Sequence, residues 1–564
     1  MKTLILIIFS IQLMACGGST DTAENSSNTS SDNTLPVIQF NAISNASTST
    51  EYTSNTVVIN GSNSSYSISI TDGSYSVDNQ AFTTATSLVN NGSSIRVRHT
   101  SSGFNGVSTY TILSIDDSSN STFTTTTQAG SIAFSASPFT PLRTVNVNDA
   151  NSLQNALLSV MPGDDIVLAD GVYTAANSGL DPDAGHARFA GAFYPAVSGD
   201  SNNPIRIRAA NPGNARLTIA PNPADDGAIL SVGGRSYIII SGLVFDAEVT
   251  AIRQDTGFVT VSNSSYIYFE NNIINGVAPS PTFQNNHANL YLQNVTNSRF
   301  ANNLIRNISN NGGSHDGEGI IMYGVNQSVF EFNTSSNIGG PAIYLKGDRE
   351  VFNEENNYGN TVRYNYASQC KIGIMVTANG QFNTTRSLIY QNLSDTCERG
   401  VHIHGWSNLV DVFNNTAVNN NAADGNEYTG GIVIAAITPD EGTNIRIWGN
   451  LVYGVSAQYD SWLQSLGYHH TAINYTSDYN WLQTGLRQKQ NLLDYINLQS
   501  AQASNYELNS LEGSDPFVDY VSGNYRLHDQ NYTEGAFVPD TAGIYDNTVL
   551  PGCYITGNEQ IGRL

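Results

Sequence analysis

Leu290-Tyr291-Leu292-Gln293, Ile320-Ile321-Met322-Tyr323, Ile343-Tyr344-Leu345-Lys346, Ile374-Met375-Val376-Thr377, Val401-His402-Ile403-His404 and Ile432-Val433-Ile434-Ala435 are six stretches with one pattern. The first and third residues are always aliphatic or Met, while the second and fourth vary. Side chains alternate across a β-strand, so the constant positions point into a core and the variable ones onto an outer face. Asn272, Asn303, Asn333, Asn365, Asn392, Asn415 and Asn450 accompany these stretches, one after each β-rich run. Their separations are 31, 30, 32, 27, 23 and 35 residues. Fixed strands with variable connections are the signature of a solenoid, in which each coil stacks on the one before. The fold class expected is all-β, a right-handed parallel β-helix. Asparagine amides in successive coils would bond to one another along its axis.

Working outward toward the N-terminus, residues 149–160 have helical apolar spacing, and a strand and turn follow at Asp165-Ile166-Val167-Leu168-Ala169-Asp170-Gly171. A short amphipathic helix there would cap the open end of the solenoid, which is assigned to residues 141–564. Residues 493–527 are read as its closing coils. Between residues 35 and 135, short alternating segments such as Tyr66-Ser67-Ile68-Ser69-Ile70 and Ile95-Arg96-Val97-Arg98 are separated by Asn-Gly and Asp-Gly turns. They predict a small antiparallel sandwich, which resembles the immunoglobulin-like modules appended to surface enzymes of marine bacteria. No cluster of acids, bases or metal ligands falls in it, so spacing or weak glycan contact is its expected role.

The first sixteen residues have a charged start, a short apolar run and Leu13-Met14-Ala15-Cys16 at the end. This resembles a lipoprotein signal peptide with its lipobox, which implies lipidation of Cys16. Plain secretion with an incidental cysteine is the alternative. Gly17 after the cysteine implies the outer membrane or cell surface by the same likeness, with membrane contact through the lipid alone. Residues 17–34 are nearly all Ser, Thr, Asn, Asp and Gly and read as a disordered tether. The chain carries 23 basic and 47 acidic residues, a net charge of -24. Such a field argues against nucleic acid and anionic lipid as general partners. A polyanionic substrate would need a locally basic groove. A monomer is expected.

Cys370 lies three residues before Gly373, and Cys397 three before Gly400. One column in adjacent coils then holds both, and a disulfide is the expected outcome, with two stacked thiols as the alternative.

The chemistry sits in the variable positions. Adjacent coils lie roughly 4.8 Å apart, so Tyr291, Tyr323, Tyr344, Lys346, His402 and His404 should form one solvent-facing strip. Breaking a uronate chain by β-elimination needs a cation for the carboxylate, a base for the carbon-bound proton and an acid for the leaving oxygen. Lys346 is the candidate base or carboxylate neutraliser, its pKa open to lowering among Tyr and His neighbours; a solvated strand lysine is the alternative. His402 and His404 are candidate base or acid near neutral pH, against a structural pair or adventitious metal ligands. Tyr344 and Tyr323 are candidate proton donors to the leaving oxygen, with stacking on a sugar alone as the alternative. Tyr291 and Tyr323 would stack on sugars, Arg349 and Arg399 would clamp carboxylates, and His315 would touch substrate. Asp316 and Glu318 could hold calcium with a substrate carboxylate. The insertion at residues 348–359 follows the lysine strand, where loops wall clefts.

Leu153-Gln154-Asn155-Ala156-Leu157, Pro162-Gly163-Asp164-Asp165-Ile166-Val167-Leu168 and Asn203-Pro204-Ile205-Arg206-Ile207-Arg208 together resemble the start of polysaccharide lyase family 6, which contains alginate lyases and chondroitinase B. The resemblance covers about a hundred residues. It implies a lysine base, an arginine from the next coil, and calcium held by Asn and Glu. Lys346 matches the lysine, whereas the next coil offers Met375 and Thr377 where the arginine would stand, so the chain reads as a divergent lyase. An acidic, alginate-like polysaccharide is the substrate so implied. Two other readings stand beside it. One is a β-helix glycoside hydrolase, which needs a carboxylate pair and could draw on Asp316, Glu318, Asp348 and Glu398. The other is a non-catalytic glycan-binding surface lipoprotein.

Overall fold

The computed structural model describes the chain between residues 36 and 527, leaving out several connections within that span, among them 128–138, 247–256, 277–286, 310–316, 348–355, 380–385, 423–429 and 436–442. The expectations for the signal peptide, Cys16 and the tether fall outside the described residues. Two compact units are present, divided near residues 101–126.

The smaller unit is built from antiparallel strands. Ser65–Thr71 pairs with Ser87–Asn90 and Ser108–Ile115, and Ser94–Thr100 pairs with Glu51–Thr53, Val57–Val58 and Ser74–Val77. Alternate residues of these strands close one core, including Tyr66, Ile68, Tyr75, Ile95, Val97, Leu113 and Phe123. Inside it His99 is buried, its two ring nitrogens 2.8 Å from the hydroxyls of Thr111 and Thr125. Burial pushes its pKa down to about 4, because the imidazolium loses its hydration there.

In the larger unit every successive pairing from Arg143–Val147 to the strand Gly430–Ala435 is parallel, and each strand pairs with one about a coil further on. The helix Ala150–Leu158 covers the first coil with Leu153, Ala156 and Leu157. Asp149 caps it, accepting from the Ser152 N–H at 2.7 Å. The repeated quartets are in the register read from sequence: Leu290 pairs with Ile320, Ile320 with Ile343, Ile343 with Ile374, Ile374 with Val401 and Val401 with Ile432. Their first and third residues all lie in one core with the stacked Phe245, Phe269, Phe300 and Phe330.

The asparagine column closes one corner. Each backbone N–H donates to the side-chain oxygen of the next asparagine, from Asn272 through Asn303, Asn333, Asn365, Asn392, Asn415 and Asn450 to Asn480, at 2.9–3.1 Å. From Asn303 onward the amide nitrogens follow the same path, again at 2.9–3.1 Å. The ladder runs one asparagine past the seven in the repeat and ends on the Ser510 hydroxyl. A residue with positive φ precedes most of these asparagines, including Phe332 and Tyr364. That conformation costs roughly 1–2 kcal/mol for a residue with a Cβ, so the corner is held by its hydrogen bonds against local preference. A second ladder, absent from the repeat reading, links Ile267, Ser298, Ser328, Asn360 and Ser387 in the same way.

Asn365→Ala would leave the Asn333 N–H without its acceptor and remove the amide's bonds to the Phe330 carbonyl and the Asn392 side-chain oxygen. We expect a loss of about 3 kcal/mol, read as a lowered urea midpoint; an unchanged midpoint would mean that the ladder is dispensable. The smaller unit should be acid-sensitive through His99. Its neutral form is favoured on folding, so the stability is complete above pH 6.5 and declines as pH falls toward 4, by about 3 kcal/mol in all. Amide exchange at Val97 and Leu113 should report that decline in wild type and a flatter profile in His99→Gln.

Candidate active site

The outer face of the quartets is where the chemistry-bearing side chains meet. A bend adds a third outward column to the two read from sequence. Ala342 and Ile343 both join the core, and a Cβ added to Gly373 or Gly400 would strike Ser394 or Ala417 of the far wall. Two consecutive inward residues turn the preceding position outward. Glu318, Ile372 and Arg399 therefore share the face of Tyr344, Met375 and His402, and Ile372 lies in one apolar cluster with Tyr291, Ile321, Tyr323, Tyr344 and Met375. The signal was present in the sequence as the small residue ahead of five of the six quartets, Gly319, Ala342, Gly373, Gly400 and Gly431.

The strip is therefore not the fully solvent-facing ridge expected from alternation. Tyr291, Tyr323 and Tyr344 are buried, His402 and Arg399 are each 2 % exposed, and Lys346 is half-buried. Apolar neighbours are the cause: Ile321, Ile372 and Met375 occupy the same columns, and Tyr291 stacks on Tyr323 with ring centroids 5.5 Å apart.

Lys346 stands at the centre. Its ammonium lies 5.6 Å from the centroid of Tyr323 and 5.3 Å from that of Tyr344, within the range where ring quadrupoles attract a cation. Its backbone is fixed on both sides, the N–H donating to the Met322 carbonyl at 2.9 Å and the carbonyl accepting from Asn357 Nδ2 at 2.7 Å. Two coils further, His402 occupies the column of Tyr344, through Met375. Arg399 Nη1 donates to His402 Nδ1 at 3.2 Å, so the neutral imidazole carries its proton on Nε2. Arg399 is thus engaged with the histidine, as a buried guanidinium needs partners on the spot. The backbone of His404 pairs with Ala435 and continues the face. His315, Asp316, Asp348 and Arg349 lie outside the described residues.

Glu318 is fully buried on this face. Calcium takes six to eight oxygen ligands; among the described residues no three of His, Cys, Asp and Glu come together, and Asp316, the other residue expected to hold calcium, lies outside them. Elsewhere carboxylates consume the arginines: Asp165 accepts from Arg206 and Arg208, Glu331 bridges Arg299 and Arg363, and Asp411 takes Arg386 and Arg446.

Cys370 and Cys397 form a disulfide with Cα atoms 4.4 Å apart, tying the Met375 coil to the His402 coil just ahead of Arg399. Among the described residues no helix is long and apolar enough to cross a membrane.

Residues 231–436 match the family model described as "Right handed beta helix region", and that span is a right-handed parallel β-helix. Solved structures similar to the chain include an alginate lyase from Paenibacillus sp. str. FPU-7, at 16 % identity over 59 % of this chain and 99 % of that one, TM-score 0.37. The PL6 family polysaccharide lyase from Pseudopedobacter saltans is similar at 14 % identity over 66 % and 91 %, TM-score 0.38. The catalytic domain of a GH87 alpha-1,3-glucanase is similar at 12 % identity over 77 % and 81 %, TM-score 0.37. No curated protein sequence matches the chain significantly.

Removing the cross-link by Cys370→Ala with Cys397→Ala should lower stability by about 3–4 kcal/mol for a loop of this length. Urea unfolding of wild type with and without reductant, beside the double variant, checks it; equal midpoints in all three would show that the bridge contributes nothing.

Proposed function

We propose that the chain is a polysaccharide lyase that cleaves an acidic, uronate-containing polysaccharide by β-elimination, alginate-like in its substrate. The observation that carries this reading is Lys346, a cation set between Tyr323 and Tyr344 on a strip that continues to His402. Rings stabilise the ammonium form, which favours the carboxylate neutraliser over the base among the two roles open to a lysine here. An ion pair with the uronate carboxylate withdraws charge from the adjacent carbon and makes its proton easier to remove.

The remaining groups have separate tasks. His404, whose backbone pairs with Ala435 two residues after His402 on the same strand, takes the carbon-bound proton. The electron pair so released forms the carbon–carbon double bond, the glycosidic carbon–oxygen bond breaks, and the Tyr344 phenol protonates the departing oxygen. His402, held as its Nε2–H tautomer by Arg399, is a hydrogen-bond donor rather than a base. Tyr291 and Tyr323 supply faces for sugar rings. The signal sequence and Cys16 support an exported protein anchored at the outer membrane or cell surface through lipid, where a polymer too large to enter the cell would be met.

Incubation with a panel of polyuronates, with and without added calcium, should produce the ultraviolet absorbance of a conjugated unsaturated uronate. Lys346→Ala should reduce the rate on the order of 10²-fold or more, and Lys346→Arg should retain part of it. New reducing ends without that absorbance would move the assignment to a hydrolase, and no cleavage of any glycan to a binding protein.

A further inference from the structure

The outer face does not stay open along its whole length. By register, the column of Tyr344 runs back through Ile321, Tyr291 and Thr260 to Ser231. The column of Lys346 runs back through Tyr323, Gln293 and Ser262 to Gly233. On the two earliest of these coils a different part of the chain occupies the face. Ser231 Oγ donates to Asp181 Oδ2 at 2.6 Å, and Ser262 Oγ donates to the Ala184 carbonyl at 2.9 Å. A Cβ placed on Gly233 would lie 2.5 Å from Ala184 Cα, so the segment rests directly on that glycine.

The segment is pinned from beneath. Arg235 Nη1 binds Asp181 and Nη2 binds Asp183 at 2.8 Å, and the Arg235 and Asp181 side chains are 4 % and 0 % exposed. A buried, hydrogen-bonded pair of this kind costs several kcal/mol to break from one side. The segment also meets the site: Ala184 and Ala190 belong to the same apolar cluster as Tyr291, Tyr323 and Tyr344. Residues under it are small, whereas those beyond it are the aromatic ones.

We infer that the stretch around Asp181 and Ala184 is a strap that closes the N-terminal end of the groove, so that the enzyme works from a chain end and releases short oligouronates. This rests on the lyase reading above. Ser262, the residue nearest Lys346 that bonds to Asp181 or Ala184, stands three coils before it, about 14 Å at the usual strand spacing. A groove blind at that distance holds on the order of three sugar residues on that side of the broken bond. The polymer extends the other way, over the later coils.

The test is the product profile of the wild-type protein on a polyuronate labelled with a fluorophore at its reducing end. Action from a chain end gives short unsaturated products of narrow size from the first minutes, no labelled fragments of intermediate length, and a viscosity that falls only in proportion to bonds broken. Gly233→Val and Arg235→Ala, each checked for an unchanged β-sheet circular dichroism spectrum, should spread the early products into a ladder and speed the viscosity loss several-fold per bond broken. A ladder of intermediate labelled fragments from wild type would overturn the blind end and leave the lyase assignment intact. Folded variants with the wild-type profile would also overturn it. Absence of any unsaturated product would remove the lyase reading and this inference with it.

Discussion

A β-helix must satisfy its backbone where the chain turns, because each corner is buried between the coils above and below it. In this protein the constraint is met by asparagines that hand hydrogen bonds from coil to coil over eight successive positions, from Asn272 to Asn480. Every bond depends on the next amide being in line, so the ladder fixes the stacking register of the whole solenoid. That register brings Tyr323, Tyr344, Lys346 and His402 to one face. The corner also tolerates residues such as Phe332 and Tyr364 at positive φ, a conformation they would leave in a free chain.

The placement of charge follows from the same stacking. Parallel strands put like columns side by side, and on the other outer faces arginines alternate with carboxylates, as Glu270, Arg299, Glu331 and Arg363 do. Those ladders neutralise themselves. On the quartet face the column runs through tyrosine, isoleucine and methionine, and Lys346 lies within cation–π range of two rings.

The scaffold was legible because its rules are periodic. Alternation sorted Leu290, Met322 and Ile403 from Tyr291, Tyr323 and His402, the asparagine spacing gave the coils, and the two cysteines were placed in one column. The site was less legible for reasons just as physical. Alternation predicts two outward columns and misses a third, because the bend at Gly319, Gly373 and Gly400 places two inward residues in succession. It also says nothing of what covers a face. Tyr344 and His402 are buried by neighbours distant in sequence, and Asp181 reaches Ser231 and Arg235 across about fifty residues. Pairing at that distance obeys no short period. The serine and asparagine ladder through Ser298 and Asn360 was hidden because its members are of two kinds.

The coils differ in length, from 23 to 35 residues between ladder asparagines, yet their strands keep one register. Floor and walls are therefore specified separately. The connections that border the face can be lengthened, trimmed or exchanged while the rungs beneath stay fixed, without the scaffold having to be solved again.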